Sequence, residues 1–206
     1  MPTNRLGRWS ALGLFLIGVA YVVTLAIGFA THGLTEPIAD PVLAIMEVLT
    51  LLSAPLMVIM MAAVHGYARS ERKTHSLIAL AFMILAAGTT SVVHFVGLTV
   101  LRQSGSGSMV WPSPIYAMEL LAWDLFLGLS LLFAAPVFEG GGLERAIRRG
   151  LLIGGVLCIA GLVGPAVGNM RLQLVGVLGY AGVFPVVCFM LFRLFRGERL
   201  LAEASH

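Results

Sequence analysis

The sequence predicts an all-α membrane protein in which six transmembrane helices form one bundle and both the N and C termini lie in the cytoplasm. Three observations predict this fold class: an apolar composition, six long apolar runs, and an uneven distribution of basic residues. Of the 206 residues, 59% are hydrophobic and 11% are charged, whereas a soluble domain typically carries about 25% charged residues. The composition therefore excludes an ordinary soluble protein.

The six apolar runs are the predicted spans. They cover residues 9–31, 42–66, 76–101, 114–138, 148–168 and 171–195. Each can cross a hydrocarbon core of about 30 Å, because a helix rises about 1.5 Å per residue. Arg5 and Arg8 precede the first run as in a secretory signal, but that run exceeds a signal's apolar region of about 7 to 15 residues, so we expect a retained helix. The connections are short, so we expect residues 1–206 to form one domain.

The basic residues predict the orientation, because positively charged loops stay on the cytoplasmic side. Eleven of the 13 lysines and arginines fall at alternate ends of the spans, and only Arg102 and Arg171 fall at the other ends. Both termini should therefore be cytoplasmic, in a multi-pass protein of the cell membrane, which is the inner membrane where a cell has two. The net charge of +3 then reflects orientation, and we expect no nucleic-acid partner.

Four ionisable side chains inside the apolar runs predict a functional site. An ionisable group in a membrane helix costs roughly 2.5 kcal/mol or more, so such groups usually face a protein interior or water and often mark a site. The predicted topology places all four in the outer half of the membrane. Counted from the outer helix ends, three lie roughly 8 to 11 Å deep and the fourth lies about 15 Å deep. The first three are Glu47, His94 and Glu119, and the deepest is Asp124.

Neighbours of these residues predict a substrate pocket. Aromatic rings share the helix face of Glu119 at i−3 and i+4, where they would hold a cation or an apolar chain. A hydroxyl lies one turn before His94, and a tyrosine of the sixth helix reaches a similar depth. Glu119 and Asp124 are separated by about 140° on an ideal helix, so they should not point at one atom. The predicted substrate-binding residues are Tyr116, Trp123, Thr90 and Tyr180.

An imidazole and two carboxyl groups in a low dielectric predict acid–base chemistry. Glu119 or Asp124 would be the acid and His94 the base. The inner halves of the spans carry no ionisable residue except His65 near the interface. A one-sided polar set favours a blind pocket over a conducting path. We therefore predict isomerisation, cyclisation or hydration of a lipid or isoprenoid-like substrate, with membrane lipids and an apolar small molecule as partners.

Two other function classes stay open at this stage. A proton-coupled transporter assembled from two copies, a homo-oligomer, would use Glu47 or Asp124 as the proton carrier. A structural subunit of a larger membrane complex would use the polar side chains for hydrogen bonds between helices. Substrate-dependent proton uptake would identify the transporter, whereas altered assembly without any lost activity would identify the structural subunit.

No cofactor is predicted, and a metal ion is the less favoured alternative. One imidazole with two or three carboxylates suits Fe, Mn or Zn, but the ligand spacings typical of such sites are missing from the sequence. Three residues near the outer mouth add acidic character that would attract cations. They are His32, Glu36 and Asp40. The mid-span Cys158 and Cys188 are expected to be packing residues. The same role is expected for Met46, Met57, Met60, Met61 and Met118.

Overall fold

Six membrane-spanning helices make up the protein. The computed structural model describes residues 2–33, 38–104 and 110–204, and every regular element within those ranges is helical. Six of the helices are long and apolar enough to cross a membrane. These findings confirm the predicted fold class, an all-α, multi-pass membrane protein with six spans.

The spans follow one another with short connections. We label them α1 (Arg5–Thr31), α2 (Val42–Tyr67), α3 (Ser70–Ser104), α4 (Pro114–Val137), α5 (Leu143–Ala166) and α6 (Met170–Gly197).

The helix ends differ most from the predicted runs where the flanking sequence is polar. Both α2 and α4 begin at the predicted residues, 42 and 114. By contrast, α3 begins at Ser70 rather than residue 76, and α5 begins at Leu143 rather than residue 148. Hydropathy marks the length buried in lipid, whereas backbone hydrogen bonding continues into polar flanks such as Glu144 and Arg145. The helices therefore project beyond the apolar core.

The spans pack in chain order and close into a ring, since α1 contacts both α2 and α6. Short connections make neighbouring helices antiparallel, so both chain ends lie at one end of the bundle. We call that half of the bundle the proximal half and the opposite half the distal half. The assignment of the proximal end to the cytoplasm stays a prediction from the arginines.

The proximal half is filled by apolar side chains. Its fully buried members include Met57, Met60, Met61, Leu131, Phe138, Leu191 and Phe195, each at most 1% exposed. Met57, Met60 and Met61 thus pack in the core, as predicted, because a flexible thioether fills irregular gaps between helices. Met118 was predicted to do the same but is 39% exposed. Cys158 and Cys188 are also buried, as free thiols. A packed, apolar proximal half follows.

The distal half departs from regular helix geometry. Three segments have π-helical turns: Gly97–Leu101 in α3, Leu121–Phe126 in α4 and Leu178–Val183 in α6. Such widened turns are rare and are found often at functional sites. The segment in α4 lies directly after Glu119 and contains Asp124. One of the predicted site residues therefore lies within a widened turn.

Candidate functional site

A cavity of about 690 Å³ occupies the distal half of the bundle. Five spans line it, namely α1, α2, α3, α4 and α6, together with residues from the α1–α2 and α3–α4 loops. Its lining reaches furthest toward the proximal end at Leu14, Ser53 and Pro185, and all three are buried. The packed proximal core begins there. The volume lies within the range of about 300 to 1,000 Å³ that is usual for small-molecule sites.

One wall of the cavity carries a chain of hydrogen bonds between α3 and α4. His94 Nε2 lies 2.8 Å from Glu119 Oε1, and the Thr90 hydroxyl donates to Glu119 Oε2 at 3.2 Å. The Trp123 indole N–H in turn donates to Thr90 Oγ1 at 3.0 Å. The four predicted residues Thr90, His94, Glu119 and Trp123 therefore form one connected group.

Glu119 is the more accessible member of the central pair. Its side chain is 18% exposed, against 7% for that of His94, and both residues line the cavity. His94 Nδ1 is buried and has no hydrogen-bond partner among the described residues. The single short contact between the ring and the carboxyl group can hold one shared proton, on either Glu119 or His94.

Glu47 lies on another wall and is paired with an arginine that the sequence analysis did not assign to the site. Arg102 Nη1 lies 2.5 Å from Glu47 Oε2, and the geometry is that of an ion pair rather than a directed hydrogen bond. The same nitrogen donates to the Gly97 carbonyl at 2.6 Å. Glu47 is only 1% exposed, so its charge is compensated where water is scarce.

Arg102 also reaches the loop between α1 and α2. Its Nε and Nη2 donate to the two carboxylate oxygens of Asp40, at 2.9 and 2.7 Å. This hydrogen-bonded guanidinium holds the pKa of Asp40 below its usual value. Arg102 thereby links a distal loop, α3 and the buried Glu47 of α2. The link crosses the distal mouth of the cavity.

Asp124 lies one layer behind the cavity wall. It is fully buried, and the residues that line the cavity do not include it. Its Oδ2 accepts a hydrogen bond from Gln173 Nε2 at 3.3 Å, while Oδ1 has no hydrogen-bond partner in the described part of the chain. Gly161 and Gly176 make room for the carboxyl group, since a Cβ on either residue would crowd Oδ1.

The predicted grouping of Asp124 with Glu119 therefore needs correction. The two carboxyl groups lie on different sides of α4: Glu119 contacts α3, whereas Asp124 contacts α5 and α6. Gln173 separates Asp124 from the cavity, because it lines the cavity and donates to Asp124. The two carboxyl groups thus do not point at one atom, as expected, and they do not share one site.

The predicted aromatic residues surround the outer part of the cavity. Tyr116, Trp123 and Tyr180 all line it. The ring centroids of Trp123 and Tyr180 lie 5.4 Å apart. Those of Tyr116 and Trp111 lie 6.3 Å apart. The aromatic faces and the Glu119 carboxyl group suit a positive charge or an unsaturated chain.

The polar lining residues that the sequence analysis missed include Tyr21, Arg102 and Gln173. Arg102 and Gln173 carried a usable signal, because both are polar and lie near distal helix ends at the level of the predicted site. Tyr21 carried none, since one tyrosine in an apolar run shows neither its face nor its neighbours.

The alternative of a bound metal ion has no set of ligands among the described residues. Within the described ranges, no three His, Cys, Asp or Glu side chains come close enough to hold a metal ion. Glu47 and Asp40 are held by Arg102, and Glu36 lies outside the described residues. At the proximal end, His65 Nδ1 lies 2.8 Å from Ser76 Oγ, far from His94.

Comparisons with protein-family models, with curated proteins and with solved structures found no match. The site is therefore interpreted from its geometry and chemistry.

Proposed function

We propose that this protein is a membrane enzyme that performs acid–base chemistry on a lipid or isoprenoid-like substrate in the distal cavity. The reaction is an isomerisation, cyclisation or hydration. The observation that carries the proposal is the hydrogen-bonded pair of Glu119 and His94 in the wall of a cavity that ends at the packed proximal core. A proton donor and a proton acceptor are thus in contact beside space for a substrate.

Glu119 is the acid in this scheme. Its protonated carboxyl group gives a proton to a double-bond carbon of the substrate, and the electron pair of that bond forms the new C–H bond. The resulting carboxylate accepts a hydrogen bond from Thr90, while His94 stays neutral and able to accept a proton. Trp123 donates to Thr90, which orients the Thr90 hydroxyl toward Glu119. The donors are therefore in place before charge develops.

The second half of the reaction restores the pair. In an isomerisation, a neighbouring carbon loses a proton and forms the new double bond, and His94 accepts that proton. In a hydration, the proton comes from the water that adds to the cation. Transfer between His94 Nε2 and Glu119 Oε1, 2.8 Å apart, returns the proton to Glu119. The rings of Tyr116, Trp123 and Tyr180 stabilise the positive charge in between.

The shape of the cavity supports an elongated apolar substrate. Polar side chains lie at its distal level, whereas Leu14, Ile17 and Phe184 line its deeper part. An apolar chain would occupy the deep part and present its reactive end to Glu119. The packed proximal half favours an enzyme over a proton-coupled transporter, because transport needs a polar path through the whole membrane.

Incorporation of solvent deuterium tests this function. All three reactions place a solvent-derived hydrogen on carbon, because the Glu119 proton exchanges with water between turnovers. The protein is reconstituted with the total lipid extract of the producing cells in D₂O, and deuterium on lipid carbons is measured by mass spectrometry. We expect incorporation with the wild type and a decrease of about 100-fold or more with Glu119→Gln, since general acid catalysis typically contributes about 10² to 10⁴.

A matched control separates this effect from a general loss of protein. Glu71→Gln makes the same change at an exposed glutamate of the proximal end and should keep wild-type incorporation. Wild-type activity in Glu119→Gln, or no incorporation by wild-type protein, would contradict the proposed function.

A further inference from the structure

The cavity has a side opening between the first and last spans. These helices are neighbours in the ring, and their packing is concentrated from Phe184 onward, in the proximal direction. They approach closely at Gly18, where an added Cβ would lie 2.6 Å from Pro185 Cγ. Toward the distal end they diverge. The space between two neighbouring outer helices of a ring faces the bilayer.

Both edges of this opening belong to the cavity. On α1, Ile17, Tyr21 and Leu25 lie one turn apart and line it. On α6, Leu174 and Ala181 line it from the opposite side. Leu174 is nevertheless 48% exposed, so the cavity extends to the lipid-facing surface. In addition, α1 is the least buried of the six spans.

We propose that one apolar chain of a lipid from the leaflet at the distal end enters the cavity sideways between α1 and α6. Its polar end stays at the level of Glu119 and Arg102, and its chain points toward Phe184. The lipid would be the substrate of the proposed enzyme, so its conversion rests on the proposed function. Its binding and entry route do not.

The orientation of a lipid in that leaflet matches the cavity. Its headgroup lies at the distal surface and its chain points to the midplane, just as the polar and apolar parts of the cavity are arranged. The lipid therefore moves sideways without turning over, and its chain never enters water. The other way in, through the distal mouth, is crossed by the ion pairs of Arg102 with Asp40 and Glu47.

Quenching of tryptophan fluorescence by brominated lipid tests the opening directly. The parent protein for this test carries Trp9→Phe and Trp111→Phe. Its remaining tryptophan is Trp123, which lines the cavity. This protein is reconstituted in phosphatidylcholine vesicles with or without bromine on the acyl chains. Bromine quenches indole on contact, so we expect strong quenching of Trp123 by a chain inside the bundle.

Added rings in the opening should prevent that contact. Ala181→Phe and Leu174→Phe each narrow the space between α1 and α6, so each should remove most of the quenching. The same changes at lipid-facing positions are the controls: Ala26→Phe on α1, where Ala26 is exposed, and Leu152→Phe on α5, where Leu152 is 40% exposed. Both controls should keep the quenching of the parent protein.

The outcomes separate this inference from the proposed function. Absence of Trp123 quenching, or full quenching in both narrowed variants, overturns lateral entry. The melting temperature of each variant identifies any that fails to fold, and the second narrowed variant then decides. Glu119→Gln should retain quenching while it loses deuterium incorporation. Quenching without any wild-type incorporation defeats only the chemistry, whereas incorporation without quenching defeats only the side opening.

Discussion

The two halves of the bundle are built from the same six helices but are organised differently. The proximal half packs large apolar side chains such as Leu131 and Phe138 without exposure. The distal half contains the π-helical segments of the described chain, the buried polar side chains Glu47 and His94, and the cavity. The proximal half therefore closes and stabilises the bundle, and the distal half contains space for a ligand.

Small residues determine which helices stay together in the distal half. Gly161 and Gly176 bring α5 and α6 into close contact, since a Cβ on Gly161 would lie 2.7 Å from the Gly176 Cα. Such positions let helix backbones approach in membranes. By contrast, α1 presents Tyr21 and Leu25 to the same cavity. The distal parts of α5 and α6 are thus in close contact, whereas α1 borders the cavity.

The largest effect on stability is expected from a cavity in the proximal half. Leu131→Ala should lower the free energy of unfolding by about 2 kcal/mol, the low end of the usual cost, because lipid chains are as apolar as leucine and the loss is one of packing. Leu178→Ala, on the lipid-facing surface, should change it by less than about 0.5 kcal/mol. Reversible unfolding in mixed micelles measures both, and equal losses would contradict the division between halves.

Removal of Arg102 should show that Glu47 is part of a structural ion pair. Arg102→Gln leaves the Glu47 carboxylate buried without its partner, so we expect a loss of roughly 1 to 2 kcal/mol in unfolding free energy, given the partial exposure of Arg102. Addition of Glu47→Gln removes the uncompensated charge and should recover most of that loss. Additive losses in the double variant would show that the two side chains act independently.

A smaller, purely functional effect is expected at Thr90. Thr90→Val keeps the side-chain volume but removes the hydroxyl that donates to Glu119, so deuterium incorporation should fall by about tenfold. Thr99→Val is the control on the same helix, because the Thr99 hydroxyl bonds to the Phe95 carbonyl of its own helix. Equal activities of the two variants would remove Thr90 from the mechanism.

The smallest effect concerns pH at the distal mouth. Arg102 lowers the pKa of Asp40 below its ordinary 3.8 in the folded protein. The stabilisation from this pair is therefore present above pH 3.8 and is lost as pH falls through the lower folded value. The melting temperature should accordingly drop slightly more at acid pH for the wild type than for Asp40→Asn. Identical pH profiles would show that the Asp40 contact adds no stability.

The sequence predicted the spans well because lipid imposes a minimum apolar length on each helix. It also placed Glu47, His94 and Glu119 at one level, since residue counts along a helix measure depth, and all three line the cavity. It could not predict lateral neighbours. Asp124 and Glu119 share a helix, yet Asp124 contacts α5 and α6 whereas Glu119 contacts α3.

The pairing of Arg102 illustrates the same limit. As one of two exceptions to the charge bias, it marked a distal helix end, but only the fold shows that this end meets Glu47 of α2 and the loop at Asp40. Gln173 likewise becomes part of the site only because α6 packs beside α4. Contacts between helices distant in sequence are what the apolar pattern leaves undetermined.

Native mass spectrometry tests most directly whether the distal half is a ligand pocket. Wild-type protein released from detergent should carry an apolar ligand that lipid extraction recovers. Val177 lines the cavity, so the larger ring in Val177→Trp should fill part of the cavity and displace that ligand. Val186 lies on the lipid-facing surface and is 49% exposed, so Val186→Trp should keep the ligand. An empty wild-type protein, or equal ligand content in both variants, would contradict the division of the bundle into a sealed half and a binding half.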